Sequence, residues 1–156
     1  VIELHGSVNR VICTECTAAL SREEFQRQLD AENPDANLSL SGVAPDGDAD
    51  LVDTELGNFS VPSCRHCGGI VKPDVVFFGE NVPKSRVNLV YEKLESSDRL
   101  LVLGSSLMVY SGYRFIRRAK EWGIPVAVVN RGKTRADPEA DIKIDGDCRE
   151  VLQRLI

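Results

Sequence analysis

Two Cys-x-x-Cys turns, Cys13 with Cys16 and Cys64 with Cys67, are separated by 47 residues of the chain. Two residues between thiols let both sulfurs of a turn reach one ion, so the four together are the donor set of a tetrahedral zinc site. With every position filled by protein, the metal would be structural, since none is left for water or substrate. His66 lies inside the second turn, but two thiolate pairs already complete the tetrahedron, which leaves it a surface residue. The other histidine is His5, shortly before the first turn. An imidazole titrating near pH 6.5 can act as a general base, although a lone histidine is more often structural. Cys148 stands alone, and such a cysteine is more often a small buried filler than a nucleophile.

A second chemical feature lies further along. Gly104-Ser105-Ser106 and Asn130-Arg131-Gly132 each follow directly on a short apolar run, Leu100–Leu103 and residues 125–129. If those runs are neighbouring parallel strands, both tips fall on the carboxyl edge, where open α/β sheets bind ligands. Small residues there let backbone N–H groups approach a phosphate or ribose. Ordinary strand-to-helix turns have the same look, and the G-x-G-x-x-G phosphate loop is absent.

The elements that must position these residues follow from periodicity. Residues 8–12 form a strand leading into the first turn. A helix starts after Ser21, an N-cap with Glu24 three places on, and has Phe25 and Leu29 on one face. It ends before Asn33-Pro34, because a residue preceding proline avoids helical geometry. Residues 33–63 carry six carboxylates and no lysine or arginine, which reads as a long acidic loop. Its run Asp46, Asp48, Asp50 fails as an EF-hand, because Leu51 replaces the turn glycine and Gly57 stands where the bidentate glutamate belongs. Val75 to Phe78 is a short buried strand or extended segment. Residues 84–97 and 112–122 are amphipathic helices, 142–144 a strand and 149–156 a closing helix. Strand, helix, strand at this spacing means a parallel sheet, and apolar strands without alternation fit a sheet covered on both faces. The fold class is therefore α/β, part of a Rossmann-like parallel sheet with a small structural zinc-binding lobe.

Bulk properties exclude some functions. The chain has 156 residues and a net charge of −5, which argues against a nucleic-acid surface. No apolar run approaches the roughly 20 residues that span a bilayer. An odd count of five cysteines, four of them in metal-type pairs, favours a reducing compartment over a disulfide framework.

Taken together, Glu3-Leu4-His5-Gly6, the two cysteine pairs, the segment KPDVVFFGE at 72–80, Gly104-Ser105-Ser106, VNRG at 129–132 and Cys148 resemble the sirtuins, the NAD-dependent protein deacylases. The segments APDGDA at 44–49 and MVYSGY at 108–113 look most like the class II branch. The resemblance implies that His5 is the base that takes a proton from the NAD ribose after nicotinamide is displaced, so that the acyl group passes to ADP-ribose. It implies zinc on Cys13, Cys16, Cys64 and Cys67. Val76, Phe78 and Gly79 would line the cleft for an acyl-lysine peptide. Gly104, Ser105, Ser106, Asn130, Arg131, Gly132 and Cys148 would hold NAD, the last against the adenine. The implied division is 1–9 for the end of the nucleotide-binding core, 10–72 for the zinc lobe with its acidic loop, and 73–156 for the C-terminal part of the NAD-binding domain. The expected partner is an acyl-lysine protein or peptide, with no nucleic acid and no membrane. The expected compartment is a bacterial cytoplasm, or alternatively a mitochondrial matrix.

One departure from the family pattern stands out. The Gly-Ala-Gly phosphate loop, the cofactor lid and the Gln-Asn-x-Asp pocket that sirtuins place before the histidine are missing. The sole methionine is Met108. The chain therefore reads as a C-terminal fragment, inactive by itself. Two other readings share these residues: a protein mono-ADP-ribosyltransferase starting from the same NAD cleavage, and a non-catalytic zinc-ribbon interaction module.

Overall fold

The structure is a computed structural model that describes residues 1–36, 40–43, 49–51 and 58–154. It divides into two compact units, one of Val1–Leu4 with Asn81–Ile156 and the other of His5–Glu80.

The His5–Glu80 unit is built on β1 (Gly6–Cys13), with β2 (Ala19–Ser21) and β5 (Val71–Val75) antiparallel on its two sides. Helix α1 (Arg22–Glu32) starts where expected: the Ser21 side chain accepts from the Glu24 N–H at 3.0 Å. Phe25 is its buried residue, and Val11 and Cys13 are buried on the strand. The helix closes at Asn33, whose side chain donates to Leu29 O at 2.8 Å and Ser60 O at 2.7 Å and so ties both ends of the acidic segment together. Within that segment a two-stranded antiparallel hairpin forms from β3 (Leu40–Val43) and β4 (Ala49–Leu51). Asp46, Asp48 and Gly57, on which the calcium reading turned, lie outside the described residues.

One expectation in this unit is corrected. Strand β5 covers Val71–Val75 and stops there; Phe77 is half exposed and Phe78 fully exposed. The cause is a tight turn, in which the Glu80 N–H donates to Phe77 O at 3.0 Å with Gly79 at φ +91°. Four apolar residues in a row look like a buried strand, but a glycine at positive φ reverses the chain too early for the rings to be covered.

The other unit holds the parallel sheet, in order β6 (Leu100–Leu103), β7 (Val126–Val129), β8 (Ile142–Ile144). It is flanked in sequence by α2 (Lys84–Glu95), α3 (Tyr110–Glu121) and α4 (Cys148–Gln153). Helix α3 connects β6 to β7. Its Ile116 and Ala119 are buried with Val126 and Val128 of β7, the isoleucine and valine side chains each contributing about 2 kcal/mol of burial. Gly123, at φ +71°, ends the helix and lets the Ile124 N–H reach Ala119 O at 2.8 Å.

Coverage on both faces is met on one face only. Leu101 and Ile142 share a register row through Ala127, and Leu103 and Ile144 share one through Val129. All four remain 38–58% exposed among the described residues. No helix among those residues is long and apolar enough to cross a membrane.

Candidate functional site

The cysteines come together because their two turns are built alike. In the first, the Thr17 N–H donates to Cys13 O at 3.2 Å and the Cys13 N–H to Ala18 O at 2.9 Å. In the second, the Gly68 N–H donates to Cys64 O at 2.8 Å and the Cys64 N–H to Gly69 O at 2.9 Å. Each turn closes on a residue in the left-handed region, Thr17 at φ 60° and Gly68 at φ 75°. A side chain at Gly69 would lie 3.1 Å from Cys13 Sγ and 2.5 Å from the Glu15 side chain, so the double glycine keeps the sulfur pocket clear.

All four Sγ atoms lie within 4.8 Å of one another, with Cys13–Cys67 at 3.5 Å and Cys16–Cys64 at 3.6 Å. Sulfurs about 2.3 Å from a central zinc would stand about 3.8 Å apart, so the donor set fits that ion. The electrostatics agree. The Cys16 N–H, helped by that of Glu15, brings the Cys13 thiol down to about 7. The Gly69 N–H favours the Cys67 thiolate, but crowding by Cys16 and Cys13 outweighs it and pushes that thiol up to about 12. One thiolate forms near neutrality and the last resists, a conflict that a bound dication would relieve by stabilising all four sulfurs as thiolates. His66 is exposed and outside the cluster.

In the same unit, His5 is exposed, and its carbonyl accepts from the Val76 N–H at 2.9 Å. The residue after it has to be glycine. Gly6 has φ +84°, and a Cβ there would fall 1.8 Å from Asp74 O. Thus β1 and β5 touch backbone to backbone beside the histidine. Val76, Phe78 and Gly79 follow on the loop after β5. Lys72 fixes that loop: its Nζ donates to Val75 O at 3.1 Å and to both Glu80 carboxylate oxygens at 2.9 and 2.8 Å, and it sits 4.9 Å above the Phe77 ring. Glu80 also accepts from the Phe77 N–H. The Lys72 ammonium, with that N–H, holds the Glu80 carboxyl below its usual range. Sequence reasoning did not single out Lys72 or Glu80 as loop anchors. Their spacing of eight carries no helical or strand signal.

In the parallel-sheet unit the strand tips converge. The Gly104 N–H donates to Val129 O at 2.9 Å, and the Cys148 thiol to the same oxygen at 3.3 Å. A Cβ on Gly104 would lie 3.5 Å from Cys148 Sγ. Gly104, Val129 and Cys148 therefore meet at the carboxyl edge of β6 and β7. Ser105 Oγ accepts from the Leu107 N–H at 3.3 Å.

The second tip is pinned from β8. Lys143 Nζ donates to Asn130 O at 3.0 Å and Gly132 O at 2.9 Å, while the Gly132 N–H donates to Asp145 at 2.8 Å. Gly132 has φ +72° and open space where a Cβ would stand. Arg131 pairs with Asp147 at 3.0 Å, and Asp147 also caps α4. The Arg149 and Glu150 N–H groups, then Arg131, hold that carboxyl below its usual range. Lys143, Asp145 and Asp147 escaped the sequence reading because Ile-Lys-Ile and Asp-Gly-Asp look like an ordinary edge strand and turn.

Comparison with known proteins bears on both units. The family model described as "Sir2 family" matches residues 1–111. An "NAD-dependent protein deacetylase" of Bordetella bronchiseptica is 49% identical over 156 residues, covering 100% of this chain and 57% of its own length. The "NAD-dependent protein lipoamidase sirtuin-4, mitochondrial" of Bos taurus is 46% identical over 150 residues, covering 96% of this chain and 48% of its own. A solved structure described as "Sir2Af2 bound to a myristoylated histone peptide" superposes with a TM-score of 0.63 at 32% identity, covering 99% of this chain and 55% of that one. The chain thus spans about half the length of the curated relatives it matches.

Proposed function

This chain belongs to the Sir2 family, and from that premise we propose that the full-length protein is an NAD-dependent protein-lysine deacylase that releases nicotinamide and passes the acyl group to ADP-ribose. The observation that carries the reading is the convergence of Gly104, the Asn130–Gly132 tip and Cys148 on one parallel-strand edge. Small residues, positive φ and open space at Gly132 suit backbone approach to ribose and phosphate. Gly104, Ser105 and Ser106 would contact ribose and phosphate, Asn130, Arg131 and Gly132 the adenosine ribose, and Cys148 the adenine. Bound NAD supplies the activated ribosyl carbon at which nicotinamide is replaced by the acyl oxygen. His5 would then take the proton of a ribose hydroxyl as the general base.

Val76, Phe78 and Gly79 would receive the acyl-lysine segment. The turn that follows β5 leaves the rings of Phe77 and Phe78 exposed, an apolar surface on which the acyl-lysine segment of an extended peptide can rest. The relative bound to a myristoylated histone peptide supports an acylated peptide as partner. Cys13, Cys16, Cys64 and Cys67 would hold one structural zinc. In functional terms 1–9 closes the nucleotide-binding core, 10–72 is the zinc lobe and 73–156 completes the NAD domain. A bacterial relative suits the bacterial cytoplasm as the compartment, and a bovine relative named as mitochondrial keeps the mitochondrial matrix as the alternative.

The test is product identity. Full-length protein, NAD and an acetyl-lysine peptide should yield deacylated peptide, nicotinamide and acylated ADP-ribose by mass spectrometry. ADP-ribose attached to protein without deacylated peptide would replace this reading with that of a mono-ADP-ribosyltransferase.

A further inference from the structure

The loop after β6 holds two residues at positive φ, Gly104 at 61° and Leu107 at 55°. Glycine adopts that region freely. Leucine does not, because its Cβ crowds the neighbouring carbonyl, and such a residue persists only where its surroundings hold it. Leu107 is buried and Met108, next to it, is exposed, so packing secures only one side of the turn.

The carbonyls flanking Leu107 are both taken by one residue. The Arg135 N–H donates to Ser106 O at 2.9 Å, and Arg135 Nη1 donates to Met108 O at 3.1 Å. The guanidinium lies 4.3 Å above the Tyr113 ring and 5.9 Å from that of Tyr110, both on the first turn of α3. Arg135 is itself held by a turn in which Asp137 accepts from the Thr134 N–H and hydroxyl, and that turn runs directly on from Gly132. Its side chain is exposed, with the guanidinium resting on the buried Tyr113 ring. Its bonds tie the 104–108 loop to the segment leaving the second tip.

Resting on the NAD reading above, we propose that Arg135 is a positioning residue: it holds the 104–108 loop in the left-handed turn that presents Gly104, Ser105 and Ser106 to the cofactor. The role needs a flat cation with forked donors, which lysine supplies only in part.

The experiment uses the full-length protein and its Arg135→Ala and Arg135→Lys variants. It reads steady-state kinetics with NAD and peptide varied in turn, NAD binding by calorimetry, and amide exchange of residues 104–109. In Arg135→Ala the backbone bond to Ser106 survives, but the Met108 bond and the aromatic stack are lost. The KM for NAD should rise about tenfold, with kcat and the peptide KM within about twofold of wild type. Exchange at 104–109 should quicken, and Arg135→Lys should fall between. An NAD KM or a local exchange rate that stays at the wild-type value overturns the proposal, as does a joint worsening of kcat and both KM values. A wild-type protein that neither binds nor cleaves NAD overturns the deacylase reading itself and takes this role with it. Wild-type turnover with an indifferent Arg135→Ala overturns the positioning role alone.

Discussion

Replacing Gly6 by alanine is the sharpest perturbation the backbone offers, and its cost can be worked out. The new Cβ would stand 1.8 Å from Asp74 O and 2.7 Å from Asp74 C, with φ held at +84°. Carbon and oxygen approach no closer than about 3.3 Å in ordinary contacts, so β1 and β5 must part by about 1.5 Å. The Val76 N–H to His5 O bond, now 2.9 Å, cannot survive that separation. The left-handed conformation costs about 1–2 kcal/mol once a Cβ is present. Each ladder bond lost adds about 1 kcal/mol. With two such bonds gone the total is about 3–4 kcal/mol. Gly79→Ala is the matched control. It has φ +91° and nothing within 4 Å of its Cβ position, so it should lose only the conformational part. Urea titration followed by circular dichroism measures both. Gly6→Ala should be the less stable by about 2 kcal/mol or fail to fold, and equal midpoints for the two variants would refute the overlap argument.

Zinc analysis should find one ion per chain. Cys64→Ser should lower that content, and a chelator should melt the His5–Glu80 unit, since a structural zinc contributes folding free energy directly; unchanged circular dichroism after metal removal would contradict this. Lys72→Met removes the contacts to Val75 O and Glu80, so the loop carrying Val76 and Phe78 should loosen. The peptide KM should then rise about three- to tenfold with the NAD KM unchanged in steady-state assays. Asp141, bound by Lys120 and by the Val126 N–H, has its carboxyl held below the usual range. A depressed folded pKa contributes stability above the unfolded value of about 3.9, and that stability disappears as the pH falls through the folded value. Asp141→Asn should therefore flatten the acid limb of a stability–pH curve measured by urea midpoints, without steepening it near neutrality.

What the sequence made legible follows from how local each signal is. The Ser21 cap, the three strands and two helices from Leu100 onward, and the four cysteines depend on spacing within a few residues, and the structure has them at or within a few residues of the expected bounds. The cysteine turns needed one thing spacing does not reveal, the left-handed Thr17 and Gly68 that aim the sulfurs inward. The exposed Phe77 and Phe78 were misjudged because hydrophobicity alone does not register the turn that Gly79 makes. Residues that act by reaching across the chain were invisible for a further reason. Lys72 on Glu80, Lys143 on Asn130 O and Arg135 on Met108 O are polar residues at unremarkable positions, and only the folded backbone brings their oxygen partners within 3.1 Å. Family resemblance supplied roles for His5 and Cys148 that a lone histidine and a lone cysteine never declare.

The most direct test of the deacylase reading is to compare full-length wild type with His5→Ala, following nicotinamide release and peptide deacylation separately. If His5 acts as the base after nicotinamide has left, the variant should lose deacylation by about 10²- to 10⁴-fold while still exchanging labelled nicotinamide into NAD. Deacylation by His5→Ala at the wild-type rate would contradict the account.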